Sequence, residues 1–194
     1  GLGDVYKRQE TTTLQQVVAE SGTQPYQYRL QNPALGVRFD VWANGSMEVT
    51  RAMQGETVVQ YRFDRPQKAR SVTSRGAIER YLSLGEYRVT DRTTRNGTTL
   101  VTLRADEFAV EETDGLFVKG SENVSNYSST VVVDGEGRVR HLTATADYTI
   151  DGEDATLDME YRLLRLGGVS VERPGWVATA LERRGGGSGG NRSG

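Results

Sequence analysis

Cysteine is absent from the chain, which excludes disulfides, thiolate chemistry and any metal site built on thiolates. Histidine occurs once, at His141, between Arg140 and Leu142 in a strand-like run. With no second histidine beside it, the expectation is a surface or rim histidine, not a transition-metal ligand. No apolar run approaches the length of a membrane span, and no signal-peptide pattern stands in the sequence. Charge of one sign is missing too: 24 Lys and Arg against 26 Asp and Glu leave a net charge of −2, with no basic stripe. Nucleic acid is therefore not an expected partner. Proline is scarce, at 4 residues, while glycine reaches 23 and strand-type residues recur. That balance favours β structure over a helical bundle, and 194 residues suit one domain with a single sizeable core.

What the chain does have is alternation. Leu142, Ala144, Ala146, Tyr148 and Ile150 interleave with polar residues, and Leu157, Met159, Tyr161 and Leu163 do the same after an Asp151-Gly152-Glu153-Asp154 turn. A four-residue turn sets Ile150 opposite Ala155, Tyr148 opposite Leu157, Ala146 opposite Met159 and Ala144 opposite Tyr161, apolar against apolar throughout. Upstream, Val37, Phe39 and Val41 form one apolar row and Val59, Tyr61 and Phe63 another. Asn44-Gly45 signals a hairpin, and a three-residue loop, Asn44 to Ser46, sets Val41 opposite Val49 and Ala43 opposite Met47. In that register Trp42 falls on the polar row beside Asp40. Two helices are expected. Thr13 to Ser21 has a capping pair, Thr13 and Gln16, with Leu14, Val17 and Val18 on one face; Ser74 to Leu84 ends at Gly85. Phe108 to Glu112 and Leu116 to Val118 read as short strands, Gly120 to Asn126 as a polar loop, and Trp176 to Arg183 as one or two helical turns. Residues 1–9 read as a non-native or disordered leader, 10–183 as a single domain and 184–194 as a flexible glycine-rich tail.

No catalytic set emerges. Gly186 to Gly190 matches G-x-S-x-G but lies in the tail with no histidine after it. Asp151, Glu153 and Asp154, and likewise Glu111, Glu112 and Asp114, are carboxylate groups without the calcium-loop spacing, and read as solvated turns. Five of the six asparagines, Asn44, Asn96, Asn123, Asn126 and Asn191, head an N-x-[ST] triplet, which points to a secreted protein with candidate glycosylation sites. Crowding of Asn, Ser and Thr into turns is the competing explanation.

One resemblance is specific. The VVVDGEGRVR turn at 131–140, the TADYTIDGEDATLDMEYRL hairpin at 145–163, the Gly167-Gly168 break and VSVERPGW at 169–176 resemble the C-terminal part of a family of uncharacterised haloarchaeal lipoproteins. Their fold is similar to the LolA/LolB and LppX lipoprotein carriers. The resemblance implies an α+β, mostly β fold: a strongly curved antiparallel sheet, an open half-barrel with one or two short helices on its concave side, and the alternating segments suggest about ten strands. It also implies a cell-surface, monomeric lipoprotein domain that binds or carries a lipid-like or apolar molecule, without catalysis or cofactor. The lipid anchor would sit on a cysteine upstream, in a chain that reads as truncated at the front. The apolar face expected to hold the ligand comprises Phe39, Val41, Tyr61, Phe63, Leu142, Ala144, Ala146, Tyr148, Leu157, Met159 and Tyr161. A structural or adhesive envelope module is the alternative.

Overall fold

The structure, a computed structural model, describes residues 13–20, 25–67, 75–109 and 121–186. It is mostly β: among the described residues ten strands fall into two five-stranded antiparallel sheets, not one sheet of ten, and two helices accompany them. The first sheet runs in chain order, β1 (Leu14–Ala19), β2 (Tyr26–Asn32), β3 (Val37–Ala43), β4 (Glu48–Gln54) and β5 (Thr57–Asp64). The second runs β6 (Arg88–Arg95), β7 (Thr98–Ala105), β8 (Ser121–Asp134), β9 (Val139–Ile150) and β10 (Glu153–Arg162). The helices are α1 (Arg75–Leu82) and α2 (Gly175–Gly186). The chain divides into two compact units, Gly1–Thr73 with Gly167–Gly194, and Ser74–Leu166.

In the first unit, the expected helix over Thr13 to Ser21 is instead β1, paired with β2 from Leu14↔Gln31 to Ala19↔Tyr26. The Val17-Val18 pair explains the outcome. Branched side chains suit a pleated surface, and here they divide between its two faces, where a helix would crowd them on one. The β3–β4 loop is also longer than expected. Asn44 donates its backbone N–H to the Met47 carbonyl at 3.0 Å, and its Oδ1 accepts from the Ser46 and Met47 amides. Trp42 therefore opposes Val49, and Val41 opposes Thr50. This one-residue change of register turns Trp42 inward. It is 6% exposed and packs with Val49, Val171, Val177 and Ala180. Helix α2 is longer than the one or two turns anticipated. Its Trp176, Val177, Ala180 and Leu181 share a stripe that lies on the Trp42 face. Arg183 and Arg184 in its last turn lie 5.5 and 4.7 Å over the rings of Tyr61 and Phe63. Cations at a helix C-terminus also complement its dipole.

In the second unit, the β9–β10 hairpin keeps the expected faces but moves by two residues. Ile150 pairs with Glu153, Tyr148 with Ala155, Ala146 with Leu157, Ala144 with Met159 and Leu142 with Tyr161. The loop is just Asp151-Gly152, at φ 52° and 79°, the pair of left-handed conformations that suits a two-residue hairpin. A shift of two preserves every side chain's face. The expected loop over Gly120 to Asn126 is, from Ser121 onward, the start of β8. Register breaks between Glu122 and Ser125 and between Ser125 and Ser128 mark two bulges, with Asn123 at φ 52° and Asn126 at φ 50°. Each bulge adds a residue, so Ser121, Val124 and Tyr127 turn toward the core at a spacing of three, and the period of two is hidden. Asn123 donates to Thr149 Oγ1 at 3.0 Å and Asn126 to Asp147 Oδ2 at 2.8 Å. Asn126→Ala is expected to cost about 1–2 kcal/mol, because alanine tolerates a left-handed backbone less well than asparagine and a hydrogen bond is lost. Asn126→Gly, which relieves the backbone, is expected to cost less, as urea denaturation of both variants will measure. The expected Glu112 strand end, Leu116 to Val118, and the carboxylates Glu111, Glu112 and Asp114 lie outside the described residues, as do residues 1–9, 187–194 and Asn191.

Candidate functional site

The eleven apolar residues expected on one face do not share one. Val41 pairs with Thr50 and Thr50 with Arg62, whereas Trp42 pairs with Val49 and Val49 with Phe63. Phe39 and Val41 thus lie on one face of the first sheet, and Tyr61 and Phe63 on the other. The seven remaining residues do share a face of the second sheet: Leu142, Ala144, Ala146 and Tyr148 on β9, and Leu157, Met159 and Tyr161 on β10. Within that row Leu142, Ala144 and Ala146 are sealed, while Tyr148, Leu157, Met159 and Tyr161 are half-buried on or beside the edge strand β10. Leu84 and Tyr127 cover the Ala146 end. Burial pushes the Tyr161 hydroxyl's pKa upward, so it stays neutral at physiological pH.

The first sheet carries a cleft of about 240 Å³ over β1 to β4, walled by Val18, Gln27, Pro174 and Trp176 among others. Its floor is ionic. Asp40, 5% exposed, accepts from Arg29 Nε at 2.7 Å on one oxygen, and from Arg38 Nε at 3.1 Å and Arg51 Nη2 at 2.7 Å on the other. Strand pairing produces this cluster: Arg29 and Arg51 are the two cross-strand partners of Asp40, and Arg38 lies two residues before it on the same face. Burial pushes the Asp40 carboxyl up, but the hydrogen bonds from Arg29 and Arg51 and the charges of Arg29 and Arg38 outweigh it and hold the pKa below the ordinary carboxylate value. The Arg51 guanidinium also lies 4.9 Å from the Trp176 ring centroid, a cation–π contact that fixes its orientation. Nothing in the strand alternation of the sequence points to this cleft. Of the predicted ligand residues, Val41 alone is among those that line it.

Other polar groups are structural. Asp134, in the VVVDGEGRVR turn, is buried and accepts from the backbone N–H of Glu136 and Arg138 and from Arg138 Nε. Burial raises its pKa, and these donors more than reverse that, to below the usual range. Tyr26 donates a short hydrogen bond to the buried Glu48 and accepts from the Gln67 amide at 3.0 Å. His141 lies on the polar face of β9, with Nε2 2.8 Å from Glu160. Among the described residues no group of three or more His, Asp or Glu side chains could hold a metal ion, and no helix is long and apolar enough to cross a membrane. Of the described candidate glycosylation sites, Asn96 stands exposed at the β6–β7 turn, Asn44 caps its own loop, and Asn123 and Asn126 use their side-chain amides within the sheet.

Two five-stranded antiparallel sheets, with a charged cleft on one and an apolar row at the edge of the other, define a mostly β protein. Over residues 7–180 the chain matches the model of a family of unknown function, DUF7537, and it belongs to that family. No protein of curated function and no solved structure matches it.

Proposed function

We propose that the protein is a non-catalytic, cell-surface domain of the lipoprotein type, anchored through a lipid outside this sequence, that binds or carries a lipid-like or other apolar molecule. Its fold is then of the open half-barrel, carrier-like kind. The observation that supports this reading is the half-buried row Tyr148, Leu157, Met159 and Tyr161 on the second sheet. A flexible thioether and aliphatic carbons form an adaptable wall there, and the two phenols can orient a head group. The sealed Ala144 and Ala146 are floor, not wall.

Titration of the full chain, freed of lipid, with a fluorescent fatty acid is expected to saturate. Leu157→Gln and Met159→Gln should each weaken that binding about tenfold, the equivalent of about 1.4 kcal/mol of lost apolar contact. Absence of saturable binding, or parental affinity in both variants, would overturn the carrier reading and leave a structural or adhesive envelope module.

A further inference from the structure

We propose that the cleft on the first sheet is an oxyanion site, which takes the carboxylate or phosphate group of a small ligand between Arg29 and Arg51. The ligand's apolar remainder would lie against Val18, Pro174 and Trp176. This goes beyond the lipid-binding reading, which rests on other strands.

Three observations carry it. First, three guanidinium groups meet one carboxylate, an excess of two positive charges around a buried group, and no second acidic side chain is among the residues lining the cleft. Cations held close together in a partly dry site repel one another, and a second anion relieves that repulsion. Second, the guanidinium groups have donors left. Each arginine offers five N–H groups. Arg29 gives its Nε to Asp40, and among the described residues its terminal nitrogens have no hydrogen-bond partner. Arg51 engages Asp40 through Nε and Nη2, which leaves Nη1. Third, the donors are preorganised. Asp40 holds Arg29 and Arg51 from one side, and the Trp176 ring holds Arg51 from another. An oxyanion then meets fixed donors without the entropy cost of ordering long side chains. The cleft volume suits a group the size of an aryl acid and not a whole lipid.

The test is calorimetric titration of the full chain at low salt with benzoate, phenyl phosphate, acetate, inorganic phosphate and neutral benzyl alcohol. Saturable binding is expected for benzoate or phenyl phosphate, and the preferred one names the oxyanion. It should weaken with added salt, and benzyl alcohol should not bind. Arg29→Gln, at a half-exposed side chain, and Arg51→Gln should each weaken binding about tenfold or more, as expected for a lost charge-assisted hydrogen bond. Trp176→Leu should weaken benzoate more than acetate. If the folded protein saturates with no anion, if benzyl alcohol binds as well as benzoate, or if both arginine variants keep full affinity, the cluster serves the fold alone and the proposal falls. Failure of the fatty-acid titration would leave this site untouched.

Discussion

Asp40→Asn is expected to destabilise the protein by about 3–5 kcal/mol, because it leaves three guanidinium groups around a buried neutral amide. Asp106→Asn removes a carboxylate that also bridges two arginines, Arg88 and Arg104, but in an exposed position. Its urea midpoint should hardly move, since exposed ion pairs contribute little. The contrast separates burial from the number of partners. The Asp40 contribution should also depend on pH. Its folded pKa is depressed, so the stabilisation is complete above the unfolded value of about 3.9 and is lost as pH falls through that value toward the folded one. The stability gap between the parent and Asp40→Asn should therefore be level near neutral pH and shrink below about pH 4. A gap that widened on acidification would show that the carboxylate is not the ionised partner of the arginines.

Gly85→Ala should be the most damaging alanine substitution among the described glycines of the second unit. A Cβ at this position would stand 2.6 Å from Ala105 Cβ and 2.9 Å from a ring carbon of Tyr127, both buried. Gly85 bridges Phe108, and the Phe108 ring in turn meets Tyr127 edge-on at 5.4 Å. The core must shift or the ring must leave its place, at about 1–3 kcal/mol or more. Gly55→Ala provides the comparison: its Cβ would meet nothing within 4 Å, though its φ of 58° carries its own smaller strain. Heat denaturation of both variants will show whether contact or backbone conformation dominates. Gly85→Ala behaving like Gly55→Ala would mean that the contact at Ala105 is looser than the geometry indicates.

These two residues also mark where sequence reading stops. Gly85 was legible as a helix stop, and α1 does end just before it, but the requirement for close approach comes from Ala105 and Tyr127, remote in the chain. Asp40 read as one polar residue in an alternating strand. The arginines that define it sit on three strands, and only the β2–β3 and β3–β4 registers bring them together. The β9–β10 faces were legible because a slip of two residues leaves the alternation intact. Trp42 was misplaced because a loop one residue longer reverses every face of its neighbour. The start of β8 was hidden by two bulges, whose asparagines also explain part of the sequon count: Asn96, Asn123 and Asn126 all adopt positive φ, which asparagine tolerates. The Thr13 to Ser21 segment had both helical spacing and strand-forming valines, and pairing with β2 decided between them.

The position of α2 in the chain has a consequence for synthesis. The helix that lies over Trp42 and Val49 follows the five strands of its own unit only after the whole of Ser74–Leu166 has been made. At the usual elongation rates of about 5–20 residues per second, the nascent first sheet would wait on the order of 5–20 s for its cover. During that interval Trp42, Val49, Tyr61 and Phe63 present an open apolar face at the ribosome exit, a target for chaperones. A ribosome that stalls before Gly175 would release a chain with five strands already made and the helix for their apolar face missing, a species prone to aggregation and suited to rapid proteolytic clearance.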